Sequence, residues 1–277
     1  MDYLVPADVA AALEMRGAGF AVLAGGTDLY PQHVGRPLTR PVIDIGELSE
    51  LRGVEETPDS YRVGALTRWT DVAAAALPAC FDGLRAAARE VGSVQVQNSG
   101  TVGGNLCNAS PAADGIPPLL SLDASVELTS VIGSRVLPLA AFLTGYRQTA
   151  LRSDELLTAV LIPRGVEDAR SAFLKLGLRR YLVISVVMVA VVVALDPGGR
   201  IAEARVAVGA CSPVAQRLGS LESQLVGRST DELDTVAIGE HLWTLSPIDD
   251  VRATAAYRRE AASVLVRRAL ESCGGDR

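Results

Sequence analysis

Gly100 to Asp114, GTVGGNLCNASPAAD, is the stretch on which the reading of the fold turns. It is rich in Gly, Asn, Ser and Pro and shows neither helical nor strand periodicity, so it reads as a long loop or a loop leading into a helix. Within it, Thr101 to Asn105 (TVGGN) sets two glycines among small polar neighbours. A similar pair lies upstream in Ala24 to Leu29 (AGGTDL), at the end of the apolar run Phe20 to Ala24 (FAVLA), which reads as a strand. Glycine tolerates positive φ and lets a ligand approach the backbone, so consecutive N–H groups can face one anion. A diphosphate suits two such loops, and backbone dipoles meet its charge without a basic cluster. Neither loop matches GxGxxG or GxxxxGK(S/T), which leaves the two best-known phosphate-binding folds unsupported. Taken singly, each Gly-Gly pair is an ordinary tight turn; their order and flanks change the weighing.

Outward from the loops, the first fifty residues read as helix, strand, loop, short helix and strand. Pro6 opens the helix, Gly17 and Gly19 stop it, and Pro41 to Ile45 is the second strand. Gly53 to Glu56 and Tyr61 to Leu66 flank the turn Thr57-Pro58-Asp59-Ser60 as a hairpin. Two helices follow, one capped by Thr67 and running through Val72 to Ala76, one from Pro78 towards Val91. Strand signals return at Ser125 to Thr129, Arg135 to Leu139 and Glu155 to Ile162. The polar, breaker-rich Pro163 to Ala169 marks a domain boundary. Beyond it, Ser185 to Leu195 and Ile201 to Ala207 form a hairpin around Asp196-Pro197-Gly198-Gly199, and Thr230 to Leu270 reads as two helices. The C-terminal part is thus a small sheet covered by helices.

Composition narrows the function. The 277 residues are 49% hydrophobic and 21% charged, with 26 Lys plus Arg against 32 Asp plus Glu and a formal charge of −6. A chain of this size buries roughly three quarters of its unfolded surface, usually in more than one domain. Its acidity, without a Lys/Arg-rich run, argues against nucleic acid. Asp2 and Asp8 stand where a secretory signal would be positive, so no export is expected. The longest apolar run, Leu182 to Leu195, falls short of the roughly 20 residues of a membrane-spanning helix and reads as buried β-structure. Cys80, Cys107, Cys211 and Cys273 form no CxxC pair, and His33 and His241 are the only histidines, so no metal or iron–sulfur site is expected in this chain. A surface role suits His33 and a structural one His241, while Trp69 and Trp243 read as core or interface anchors.

The order of AGGTDLYP, TVGGNLCNASPAADGIPPLLSLDASVEL, FLKLGLRR at Phe173 to Arg180 and ISVVMVAV at Ile184 to Val191 resembles one family over almost the whole chain. It is the FAD-binding (medium) subunit of molybdenum hydroxylases, of the xanthine dehydrogenase and carbon monoxide dehydrogenase type. The resemblance implies an α+β fold: a two-part vanillyl-alcohol-oxidase-like (PCMH-type) FAD-binding domain, residues 1–52 and 53–165, then a small α/β domain, residues 170–277, of the CO dehydrogenase flavoprotein type.

The same resemblance implies the site. The first loop, Gly25, Gly26, Thr27 and Asp28 with its flanks Leu23, Ala24 and Leu29, and the second, Thr101, Gly103, Gly104 and Asn105, would cradle the FAD diphosphate, Thr27 and Asn105 adding side-chain hydrogen bonds. Asp28 reads as a helix cap with a backbone contact. Asp114, beside Ala113, would accept from ligand hydroxyls, cap the helix Ile116 to Leu122, or do both. Lys175 matches a family lysine near the flavin, where its charge favours the electron-rich reduced form; the alternative is an exposed strand lysine. Leu157 and Ile184 match apolar flavin walls, a role core packing explains equally well, and Cys107 reads as a small packing residue within the site rather than a redox thiol. One departure follows Arg179-Arg180: Tyr181-Leu182-Val183 stands where relatives more often carry small or acidic residues.

By the same resemblance the chain is a cytoplasmic oxidoreductase subunit with FAD alone. Electrons would come from 2Fe-2S clusters on a small subunit, after hydroxylation at a molybdopterin cofactor on a large one. They would pass to NAD+, a quinone or oxygen. The assembly would be a heterotrimer or its dimer, with the substrate bound elsewhere. A stand-alone PCMH-type flavin reductase and a non-enzymatic assembly or ligand-binding homologue are the alternatives.

Overall fold

A computed structural model describes residues 2–274; Met1 and residues 275–277, at the outer ends of the first and last expected domains, lie outside the described residues. Strand β1 (Tyr3–Leu4) precedes α1 (Val9–Gly17). The helix starts three residues after Pro6, because the Asp8 carboxylate accepts from the Ala11 N–H and caps it there. Gly19, at φ +91°, turns the chain into β2 (Ala21–Leu23), and α2 (Leu29–Gln32) and β3 (Val42–Asp44) complete a parallel sheet of order β1-β3-β2. β1 was not among the expected strands, being too short for any alternation to register. Ala12, Leu13, Ile43, Ile45 and Leu48 form the core of this unit.

The second unit opens with the hairpin β4 (Val54–Glu56) and β5 (Ser60–Gly64). Helix α3 (Trp69–Ala74) follows, but Thr67 does not cap it: its hydroxyl donates to the Gly53 carbonyl, while the Asp71 carboxylate accepts from the Arg68 N–H. The expected helix from Pro78 towards Val91 is a 3-10 turn, Ala79–Phe81, running into α4 (Asp82–Glu90), and beyond Gly92 at φ +54° a further helix, α5 (Val94–Ser99), follows. The glycine-rich stretch itself coils into α6 (Val102–Asn108), and α7 (Ile116–Ser121) comes next. Then β6 (Ser125–Ser130), β7 (Gly133–Pro138), α8 (Leu139–Phe142), the small hairpin β8 (Leu143–Gly145) and β9 (Gln148–Thr149), and β10 (Leu156–Pro163) follow in order. β10 inserts centrally, giving an antiparallel sheet of order β4-β5-β10-β6-β7. Trp69, Phe81, Leu106, Leu119 and Phe142 are buried between it and the helices.

Residues 164–169 lead into the third unit: β11 (Arg170–Leu176), β12 (Val187–Leu195), β13 (Ile201–Gly209) and β14 (Gln216–Arg217), antiparallel in that order, with α9 (Gly219–Leu225) and α10 (Ala255–Ser272). Where two helices were expected after Thr230, the chain makes two short 3-10 segments, Thr230–Thr235 and Ile238–Thr244, before α10.

The apolar run is explained by β12 having two covered faces. Val187, Val189, Val191 and Val193 face the core beneath α10, whereas Met188 and Ala190 pack with Ala87 of α4 and Val192 joins the core of the second unit. Among the described residues no helix is long and apolar enough to cross a membrane.

Candidate cofactor cleft

The end of β2 and the start of α6 meet at a cleft of about 380 Å³, lined by both glycine loops. Their contact explains one glycine directly: a Cβ on Gly25 would lie 2.0 Å from the Ser99 carbonyl oxygen. Gly26 adopts φ +70°, with the Tyr30 ring covering its α-carbon. The corner between β5 and α3 supplies Ala65, Leu66 and Trp69, and β10 supplies Leu156 and Leu157.

The two loops differ in what they offer an anion. Among the described residues, the N–H groups of Gly25, Gly26, Thr27 and Asp28 donate no hydrogen bond, so four consecutive donors are free on the cleft's first wall. At the second loop Val102 donates to Thr67 O (3.0 Å), Gly103 to Ala65 O (2.8 Å), Gly104 to Thr101 Oγ1 (3.1 Å) and Asn105 to Thr101 O (3.0 Å). This loop therefore presents no free first-turn N–H group, because Thr101 caps α6 with its own side chain. Gly103 is instead a packing glycine, a Cβ there lying 2.8 Å from the Cβ of Ala65. What the second loop leaves open is the Asn105 side chain, whose Oδ1 is buried without a hydrogen-bond partner among the described residues. Asp28 occupies the cap position of α2 but makes no side-chain cap bond, contrary to expectation.

Leu23 to Leu29, Thr101, Gly103, Gly104, Asn105, Cys107 and Leu157 all line the cleft. Cys107 is reachable from it, yet the surrounding protein mass pushes the thiol up to about 12, opposed only by nearby Arg16. Ala113, Asp114, Lys175 and Ile184 lie off its lining. Ala113 is core, and Ile184 is exposed in the loop before β12. Asp114 does not cap α7, where Gly115 holds that position. It accepts from Lys175 Nζ (2.7 Å) and Ser185 Oγ (2.8 Å), and Lys175 also donates to Glu90 O (3.1 Å). Both members of this ion pair are buried, so Lys175 is no exposed strand lysine. Burial pushes the Asp114 carboxyl above its ordinary value, and the Lys175 charge and the Lys175 and Ser185 hydrogen bonds pull it back.

Arg16 and Gln32 also line the cleft, and sequence reading missed both. Trp69 is buried as expected but borders the cleft too, whereas Trp243 is exposed. His33 bonds Leu29 O through Nδ1, and His241 sits between Ser220 and Gln224.

Residues 1–165 match the family described as the FAD binding domain in molybdopterin dehydrogenase, and residues 172–273 match the CO dehydrogenase flavoprotein C-terminal domain. The chain belongs to the FAD-binding subunits of the molybdenum hydroxylase family. It is 37% identical to the nicotinate dehydrogenase FAD-subunit of Eubacterium barkeri, over 75% of this chain and 72% of that one. With the putative xanthine dehydrogenase FAD-binding subunit of Escherichia coli K12 it shares 33% identity over 90% and 87% of the two chains. A chain of the cyanide-inactivated Cu,Mo-CO dehydrogenase superposes with a TM-score of 0.92 at 27% identity, covering 99% of this chain and 97% of that one.

The cleft of this FAD-binding subunit fits its cofactor. A dinucleotide needs donors for its phosphates, polar partners for its sugar and apolar walls for its rings. Free N–H groups at 25–28, the unpartnered Asn105 Oδ1 and the side chains of Leu23, Trp69 and Leu157 supply all three.

Proposed function

We propose that this chain is the electron-transfer flavoprotein of a multi-subunit molybdenum hydroxylase, receiving electrons from 2Fe-2S clusters on one partner subunit after oxidation at a molybdopterin cofactor on another. The meeting of the two glycine loops on one cleft with unsatisfied polar groups carries this reading. Bound FAD would supply the exchange between single-electron and paired-electron transfer, which lets the complex use NAD+, a quinone or oxygen as final acceptor. The N–H groups of Gly25 to Asp28 would hold the phosphates, and Thr27 and Asn105 would add side-chain contacts. Thr101, by capping α6, holds Gly104 and Asn105 in place at the cleft. Leu23, Leu157 and Trp69 would keep water from the rings. Asp114 and Lys175, joined to each other and to Ser185, would set the C-terminal unit against this module on the flavin side.

Separate partner subunits are supported by the relatives' being named as subunits. Four unpaired cysteines favour a reducing, cytoplasmic setting. The test is purification of the chain alone and with its partner subunits, with the visible spectrum and the metal content recorded. The reading predicts flavin with this chain, and iron and molybdenum only with the partners. A complex holding iron and molybdenum but no FAD would overturn it.

A further inference from the structure

The cleft meets a diphosphate unevenly. Its first wall has the four free N–H groups, while the first turn of α6 has spent its own on Thr67, Ala65 and Thr101. Among the described residues, only two that line the cleft carry a formal charge, Arg16 and Asp28, one of each sign. A dianionic ligand with Asp28 at hand therefore leaves Arg16 as the sole positive side chain to balance it.

Arg16, in the last turn of α1, is held in an unusual way. Its Nε donates to Glu155 O (3.2 Å) and its Nη1 to Phe20 O (2.9 Å), so two neutral backbone carbonyls fix the guanidinium plane. Nη2 has no hydrogen-bond partner among the described residues, and no carboxylate pairs with the group. The side chain is half-buried, and it stands close enough to Cys107 to act on that thiol electrostatically. A cation left unpaired in protein is costly unless something neutralises it, and guanidinium is matched in shape and charge to phosphate oxygens. The two carbonyl anchors remove much of the ordering cost that a free arginine would meet on binding.

We propose that Arg16 is a cofactor-positioning residue whose free Nη2 edge takes a phosphate oxygen of the bound dinucleotide. This rests on the FAD reading above. It also gives the N-terminal helix a part in binding that neither glycine loop has.

The test uses the full chain stripped of flavin. FAD is titrated against wild type, Arg16→Gln and Arg16→Lys by flavin fluorescence at low and high salt, with thermal unfolding of each flavin-free chain alongside. Arg16→Gln should weaken FAD about 10- to 100-fold, the effect of losing a hydrogen bond to a charged group, and should flatten the salt dependence of binding. Arg16→Lys keeps the charge and should recover much of the loss. Unchanged FAD affinity in Arg16→Gln, or Arg16→Lys binding no better than Arg16→Gln, overturns the proposal. So does weakened binding whose salt dependence matches wild type and whose loss follows a drop in melting temperature, since Arg16 would then be a structural tie. A wild-type chain that binds no FAD overturns the cofactor reading itself, a different result from a wild type that binds and a variant that binds equally well.

Discussion

Replacing Gly25 by Ala tests whether the two loops are built against each other. The new Cβ would stand 2.0 Å from the Ser99 oxygen, 2.7 Å from the Ser99 carbonyl carbon and 2.9 Å from the Gly100 α-carbon. A carbon and a carbonyl oxygen rest no closer than about 3.3 Å, so the loops must part by roughly 1 Å. All three neighbours are backbone, and no rotamer change relieves them. Nor is the segment free to move: Gly100 donates to Val96 O and accepts from the Trp69 N–H, and Thr101 next to it caps α6. Overpacking costs about 1–3 kcal/mol, and a clash confined to tethered backbone belongs at the upper end, ~3 kcal/mol. At about 2–4 °C per kcal/mol for a protein of this size class, the melting temperature should fall by roughly 6–12 °C. Gly17→Ala is the matched control, since nothing lies within 4 Å of its Cβ position. Its φ is not positive, and the change should be neutral to stabilising by less than about 1 kcal/mol. Circular dichroism of the flavin-free chains gives the melting temperatures, and fluorescence titration gives FAD affinity. If Gly25→Ala melts with Gly17→Ala and binds FAD as wild type does, the loops do not form one wall and the reasoning fails.

Lys175→Met leaves the Asp114 carboxylate buried without its partner, a change of about 3–5 kcal/mol, and adding Asp114→Asn should restore part of the loss; strictly additive effects in chemical denaturation would show that the pair does not act as a unit. The Arg135 hydrogen bond holds the Glu155 carboxyl below its ordinary 4.5, with burial opposing. Its contribution is therefore complete above that value and is lost as pH falls through the lower folded-state value, so the melting-temperature gap between wild type and Glu155→Gln should shrink between neutral pH and about pH 3, and a constant gap would contradict this. Burial pushes the thiols of Cys80, Cys211 and Cys273 up to about 11, whereas Cys107 is exposed at the cleft. At pH 8 these three buried thiols should accordingly react with a disulfide reagent far more slowly in the native chain than in the unfolded one, and more than one fast native thiol would count against the described packing.

Much of this arrangement is legible in local sequence because its causes are local. The Asp196-Pro197-Gly198-Gly199 turn makes its hairpin, with the Asp196 carboxylate accepting from the N–H groups of Gly198 and Arg200. The valine run declares a strand with both faces covered. The glycine pairs announce a place where backbones approach closely, as Gly25 and Gly103 do, although each approaches protein at that point.

Other features depend on residues far apart in the chain. Val102 to Asn108 has poor helix propensity, yet Thr101 capping and the hydrogen bonds to Ala65 and Thr67 draw it into a helix, and so the N–H groups expected to face a ligand are consumed. Thr67 looked like a cap until its hydroxyl was claimed by Gly53. Asp114 and Lys175 lie on different units, and nothing in the spacing of either predicts that they meet. Arg16 carried no local signal at all, since its anchor at Glu155 comes from the far end of the second unit.

The most direct test of the whole account is the FAD content of the purified full-length chain after reconstitution. One FAD per chain is expected, released intact on denaturation, with Gly26→Val lowering occupancy while circular dichroism keeps its native form, because the new side chain must displace the Tyr30 ring at a φ of +70°. A wild-type chain that is folded and takes up no FAD, or a Gly26→Val chain at full occupancy, would contradict it.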